Sequence, residues 1–262
     1  MKRKSLLLLS VVMILSMVLA ACSPASTPTS SASGQGAKTK IRVASEATYP
    51  PFETVDENTK QLVGFDIDMV KAIAAKENLD VEFVNTPFDS VLAGISTCQY
   101  DAAASAITIT EDRKQKMAFS DPYINAGQLI TVGINNNDIK TPADLKGKKI
   151  SVQLGTTGEI EAKKIEGATV KPFDTADLAF LELVNEQVDA VIVDSPTSMI
   201  YINKFKDKIK GVGTPFTSEQ YGIAVCKSNT ELLKTINAGL AAVKADGTLD
   251  QLYTKWNLGA QK

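Results

Sequence analysis

Three groups of side chains, distant in the chain, are complementary in chemistry: Glu46 with Tyr49; Ser105 and Thr108 with Arg113; and Gln153, Thr156 and Thr157 with Asp194. Together they supply one fixed cation, two acids, hydroxyls and an aromatic ring, a mixture suited to a small zwitterion. The carboxylate of an amino acid matches the planar fork of Arg113, which donates two parallel hydrogen bonds, and a helix beginning near Thr157 adds backbone donors. Its ammonium needs acceptors, which Asp194, Ser105 and Thr108 provide. Each residue also has a plainer use. Arg113, within TEDRKQK, fits a solvated helix charge, and Asp194 fits the cap of a helix started by Ser195-Pro196. Thr110, Glu111 and Asp112 fit an ordinary helix first turn, and Tyr49 and Phe88 fit an ordinary core.

Other chemistry is excluded or disfavoured. The 262 residues contain no histidine, which rules out Ser-His-Asp and Cys-His catalysis and removes the commonest metal ligand. No metal or other cofactor is expected. Apart from Cys22 the thiols are Cys98 and Cys226, without CxxC spacing, so neither a zinc site nor a disulfide framework is signalled. A single bridge between them stays open, but buried free thiols fit better.

The elements that must position the candidate residues come in two similar series. In the first, IRVAS (41–45) reads as a strand, and FDIDMVKAIAAKEN after Gly64 places Ile67, Val70, Ile73 and Ala74 on one helical face. VEFV from Val81 is a strand, and FDSVLAGISTCQYDAAASAI is a helix followed by a strand beginning at Asp101-Ala102. In the second, KISVQ (149–153), TTGEIEAKKI, ATVKPF and FDTADLAFLELVNEQVDAVIVD repeat that order, and Gln99-Tyr100-Asp101-Ala102 is echoed by Gln187-Val188-Asp189-Ala190. Alternating strands and helices predict an α/β fold of two lobes, each a mostly parallel sheet flanked by helices. Ligands in such sheets bind beyond the carboxyl ends of the strands, where all three candidate groups fall. YPPFE is expected to pair with the segment ending in QLVGF around DENTK, and the tail helix is expected to break at Asp246-Gly247.

The N-terminus reads as an export signal: Lys2, Arg3 and Lys4, an apolar run from Leu6 to Leu19, then Leu19-Ala20-Ala21-Cys22. The last four residues resemble a bacterial lipobox, which implies cleavage after residue 21 and a diacylglyceryl group on Cys22. Residues 22–39, rich in Ser, Thr, Pro and Gly, are a tether. The leader holds three of the 28 basic residues and none of the 30 acids, so the mature chain has 25 against 30, a net charge of −5. Nucleic acid is thereby disfavoured as a partner.

ASEATYPPFE, GFDIDMVKAIA, PFDSVLAGI, DAAASAITITEDRKQKMAFSDPY, DLKGKKISVQLGTTGE, DAVIVD, YGIAV and KADGTLDQLYTKW together resemble the solute-binding proteins of polar amino-acid ABC transporters, from about Ile41 to Trp256. The resemblance implies a two-lobed, type II periplasmic-binding-protein-like fold with lobe 1 at 40–126 and 221–262 and lobe 2 at 127–220. It places the two chain crossings at GQLITV and SEQYGIAV. By the same resemblance, Arg113 clamps the ligand α-carboxylate with the backbone at Thr108 and Thr157, and Asp194 takes the α-ammonium, helped by Ser105 and Ala106. Tyr49 and Phe88 sandwich the ligand side chain; Glu46 meets its far end, with Gln153 nearby. The implied ligand is a cationic L-amino acid of the arginine, lysine or histidine class, favoured by the charge of Glu46. Glutamine and cystine stay open as alternatives, since members that bind uncharged polar amino acids also carry an acid at the position of Glu46 and Gly158 stands where some basic-amino-acid binders place glutamine; a cyclohexadienyl-dehydratase-like enzyme on the same scaffold is the further alternative. A membrane permease, a monomeric body without enzymatic activity and a lipid-anchored place on the extracytoplasmic face of the membrane complete the expectation.

Overall fold

The computed structural model describes residues 37–259; the leader, Cys22 and nearly all of the 22–39 tether lie outside them. β1 (Thr39–Ser45) leads into a small sheet of β2 (Thr48–Tyr49), β3 (Glu53–Val55) and β4 (Leu62–Val63). The β3–β4 hairpin turns at DENTK, where Asp56 Oδ1 accepts from the backbone N–H groups of Asn58 and Thr59. Next come α1 (Phe65–Lys76), β5 (Leu79–Asn85), α2 (Phe88–Ser96), β6 (Ala102–Ala103), α3 (Glu111–Lys116) and β7 (Met117–Phe119). Ile67, Val70, Ile73 and Ala74, spaced for one face of α1, are all buried.

β8 (Ile124–Ala126) carries the chain toward a second sheet. There β9 (Gln128–Gly133) and β10 (Lys149–Gln153) are followed by α4 (Thr157–Lys163), β11 (Thr169–Phe173), α5 (Ala176–Val184), β12 (Ala190–Asp194), α6 (Ser195–Lys204) and β13 (Ile209–Val212). β14 (Glu219–Tyr221) returns, β15 (Ala224–Cys226) joins the first sheet, and α7 (Thr230–Ala245) and α8 (Thr248–Lys255) follow. The two helices are divided where Gly247 takes a left-handed φ of 78°. Among the described residues no helix is long and apolar enough to cross a membrane.

The sheets have orders β5-β1-β6-β15-β7 and β11-β10-β12-β9-β13. In each, the three strands joined by helical crossovers are parallel, and one reversed strand, β15 or β9, sits fourth, antiparallel to both neighbours. Both reversed strands follow a passage between the sheets, which is why strand-helix alternation did not identify them. The passages themselves pair, β8 with β14, as an antiparallel ribbon. Gly127, at its end, has no room for a side chain: a Cβ would lie 2.2 Å from the Thr217 carbonyl oxygen.

The repeated Asp-Ala dipeptide has the same use in both lobes. Asp101 accepts from the backbone N–H of Arg42 at 2.8 Å, and Asp189 accepts from that of Lys149 at 2.7 Å. Each acid thus ties the strand it starts to the strand beside it, Ala102 opposite Val43 and Ala190 opposite Ile150.

Two features modify the expectations. Cys98 and Cys226 form a disulfide, not a pair of free thiols, and Cys98 is exposed in the turn after α2. The bridge joins residues 128 positions apart, a proximity created only when β15 returns to the first sheet. Two acids, Glu53 and Asp66, lie wholly buried behind the turn that follows β6. Asp66 Oδ2 accepts from the Ala106 N–H at 2.9 Å and from the Tyr123 hydroxyl at 2.7 Å, and Glu53 accepts from Ser105 Oγ at 3.1 Å. Burial pushes Asp66 up to about 7, and burial with the charges of Asp66 and Glu46 holds Glu53 well above the usual carboxylate range. Around them Phe65 stacks on Tyr253 and Tyr123, and Phe52 meets Tyr221 edge to face.

Removing the bridge with Cys98→Ser and Cys226→Ser is expected to lower stability by about 2–5 kcal/mol, read as the shift in a denaturant midpoint; an unchanged midpoint contradicts the bridge. A carboxyl whose pKa rises on folding stabilises fully below its unfolded value of 3.8 and loses that contribution as pH rises through about 7. The melting temperature should therefore fall between pH 5 and pH 8, and fall less in Asp66→Asn; equal slopes contradict the assignment.

Candidate functional site

The site is built where the carboxyl ends of the strands in one sheet meet those of the other. Asp194 ends β12 and occupies the N-cap position of α6, but its carboxylate does not cap that helix. Oδ1 accepts from the Tyr49 hydroxyl at 2.6 Å and from Gln128 Nε2 at 2.9 Å, and Oδ2 accepts from the Tyr221 hydroxyl at 2.5 Å. Tyr49 comes from the first lobe, whereas Gln128 and Tyr221 flank the passages between lobes. Burial raises the Asp194 pKa, Glu219 adds to it, and the bonds from Tyr221, Tyr49 and Gln128 oppose the rise.

Arg113 is not the solvated helix charge of its plainer reading. Thr110 caps α3 by accepting from the Arg113 N–H, yet the side chain turns inward and is only 9% exposed. Nη1 donates to the Thr108 carbonyl at 2.8 Å, and Nη2 reaches the other lobe to donate to the Gly155 carbonyl at 3.0 Å. The guanidinium lies 5.6 Å from the Phe88 ring centroid. Burial lowers its pKa, while Asp194 and Glu219 are the leading opposing influences. No ion pair joins Arg113 to Asp194 among the described residues.

Tyr49, Phe88, Ser105, Ala106, Thr108, Arg113, Gln153, Thr156, Thr157 and Asp194 line one cavity. About 10 Å³ of it is open to the centre of a water molecule, room for roughly one. Ala106 holds a left-handed φ of 46°, uncommon for a residue with a side chain, and is fixed there by Asp66. Thr156 caps α4, which presents Thr157 to the cavity, and Gly158 behind it is tightly packed: a Cβ would stand 2.7 Å from the Ile192 carbonyl oxygen. Glu46 is the sequence-derived candidate that does not line the cavity. It is buried beside Gln153, accepting from the Thr48 hydroxyl and from Gln153 Nε2, and burial raises its pKa.

Glu219, Gln128, Tyr221 and the Gly155 carbonyl were not singled out in the sequence. Glu219 Oε2 accepts from Thr108 Oγ1 at 2.8 Å and Thr157 Oγ1 at 2.7 Å, one threonine from each lobe, and Oε1 accepts from Thr217 Oγ1 at 2.7 Å. The available signal was position: Gln128 lies in GQLITV and Glu219 and Tyr221 in SEQYGIAV, the two segments assigned to the crossings.

A family model for bacterial extracellular solute-binding proteins, family 3, matches residues 41–259. The ABC transporter arginine-binding protein 1 of Escherichia coli (strain K12) is 35% identical over 230 residues, covering 85% of this chain and 93% of that protein. The L-cystine-binding protein TcyJ of the same organism is 33% identical over 218 residues, 82% of each chain. Among solved structures, an ancestral arginine-binding protein bound to arginine superposes with a TM-score of 0.81 at 46% identity, covering 84% of this chain and 99% of that one. An ancestral arginine-binding protein bound to glutamine gives a TM-score of 0.80 at 47% identity, covering 84% of this chain and 98% of that one. With the family pattern running from the first strand of the fold to its last described residue, the chain belongs to the bacterial extracellular solute-binding proteins, family 3.

Proposed function

We propose that this protein is an extracytoplasmic receptor that captures a cationic L-amino acid, of the arginine, lysine or histidine class, between its lobes and delivers it unchanged to an ABC importer. The observation that carries the reading is that Arg113 and Asp194 line one cavity, both buried, without pairing with each other. A buried charge is costly unless a partner offsets its desolvation. An α-amino acid supplies a partner to each at once, its carboxylate to the guanidinium and its ammonium to the aspartate.

The cationic preference is supported by Glu46, an acid buried beside the cavity wall, and by the relatives named for arginine. Glutamine is the second reading, favoured by the glutamine-bound ancestral structure. In this account lobe 1 is 40–126 with 221–262 and lobe 2 is 127–220, and ligand bridging them favours the closed form by its differential contacts. Leu19-Ala20-Ala21-Cys22 supports cleavage of the leader and lipidation of Cys22, which tethers the receptor through residues 22–39 beside its permease. The body acts as a monomer.

A thermal-shift screen of the twenty amino acids against the chain freed of residues 1–21 tests the proposal, since a bound ligand raises the melting temperature. The largest shift is expected from arginine, lysine or histidine, with glutamine behind. Truncating one side of a buried charge contact costs roughly 2–5 kcal/mol, so Arg113→Ala should weaken binding by about 30-fold to several thousand-fold in calorimetry, with Asp194→Asn comparable. Absence of any shift, or near wild-type affinity in Arg113→Ala, contradicts the receptor reading.

A further inference from the structure

The return passage changes its attachment from one sheet to the other within a few residues. The Phe216 N–H donates to the Gln128 carbonyl at 2.9 Å, and Thr217 Oγ1 accepts from the Gln128 N–H at 2.8 Å, so this stretch is tied to β9 of the second sheet. From Gln220 on, the ties run to the turn that leaves β6 of the first sheet. The Ile109 N–H donates to the Gln220 carbonyl at 2.8 Å, the Gly222 N–H donates to the Ile107 carbonyl at 3.1 Å, and Thr108 bridges to Tyr221. Glu219 stands at the changeover, held by its neighbours beside Thr108.

Thr157 belongs to the other side, since it opens α4 directly beyond β10. One oxygen of Glu219 nevertheless accepts from both threonine hydroxyls, Thr108 at 2.8 Å and Thr157 at 2.7 Å, with the two hydroxyl oxygens 3.4 Å apart. The second oxygen accepts from Thr217 Oγ1 at 2.7 Å and from Gln128 Nε2 at 3.2 Å. A hydroxyl donating to a carboxylate makes a charge-assisted bond, and a carboxylate is an acceptor only, so this set is satisfied within the protein. Other bonds across the boundary, Arg113 to the Gly155 carbonyl and Tyr49 to Asp194, use groups that the receptor reading gives to the ligand. The Glu219 bonds use neither of those charged groups, so they can persist when an amino acid is gripped.

We propose that Glu219 is a positioning residue for capture: carried beside Thr108, it catches the Thr157 hydroxyl and holds the closed arrangement of the cavity walls with or without a ligand. Its consequence for binding rests on the amino-acid receptor reading and deepens it. A receptor whose binding-competent form is only partly populated loses apparent affinity by that fraction, and a catch made within the protein raises the fraction. The gain is then the same factor for every ligand. A residue that touched the ligand would instead change the preference between ligands.

The test is small-angle X-ray scattering of the ligand-free proteins, with calorimetry using L-arginine and L-glutamine. Glu219→Ala is expected to have a larger radius of gyration than the wild type without ligand and the same radius with saturating arginine, a recovery that general distortion of the fold would not show. Its affinity for arginine and for glutamine should fall by about tenfold, the worth of one charge-assisted bond, with their ratio kept within about twofold. Thr157→Val, which removes the hydroxyl from the other side, should enlarge the ligand-free protein as well, whereas Thr157→Ser should not; this pair decides even where Glu219→Ala fails to fold. Equal ligand-free radii in the wild type, Glu219→Ala and Thr157→Val overturn the catch. A changed arginine-to-glutamine ratio in Glu219→Ala, or unchanged affinities, overturns action through Thr157. A wild type that binds no amino acid overturns the receptor reading, and the ligand-free radii then decide the catch by themselves.

Discussion

Arg113 and Asp194 face one small cavity from opposite lobes, nearly removed from water, and neither neutralises the other. Carbonyl groups satisfy part of the guanidinium, and two tyrosines with a glutamine satisfy the aspartate. Such bonds reduce the desolvation cost without cancelling the charge. Much of the surrounding architecture can be understood as holding these two groups at fixed places without letting them collapse into an ion pair.

The fold does this with its passages between lobes as much as with its lobes. The strands β9 and β15, each reversed within its sheet, follow the β8–β14 ribbon that carries Glu219 and Tyr221 and leads into Gln128. Those three side chains tie Asp194, Thr108 and Thr157 together across the lobe boundary. On the far side Asp66 secures Ala106 in a left-handed conformation, so the turn that supplies Ser105 and Thr108 is braced from the core. Changes that move the ribbon are thereby coupled to both charges.

Much of this was legible in the sequence, and the division follows the range of the interactions involved. Strand and helix periodicities are local, so β1, β10 and the break at Gly247 were readable, and so was the doubled strand-helix order that builds two similar sheets. Candidate side chains were readable because strand-end loops in such sheets converge: apart from Glu46, the residues chosen that way line one cavity, as do Phe88 and Ala106, which the family resemblance supplied. The reversed strands, the Cys98–Cys226 bridge and the role of Glu219 depend on segments that meet only after the chain has crossed twice. Glu46, chosen for its charge, is buried and accepts from the Gln153 amide, a contact across the chain that its local sequence does not announce.

The most direct test of the bridging of Arg113 and Asp194 is a crystal structure of the protein grown with L-arginine. A single arginine is expected between the lobes, its α-carboxylate within hydrogen-bonding distance of the Arg113 guanidinium and its α-ammonium within the same reach of the Asp194 carboxylate. An arginine seated with either of those two protein groups facing solvent, or bound away from the cavity, would contradict it.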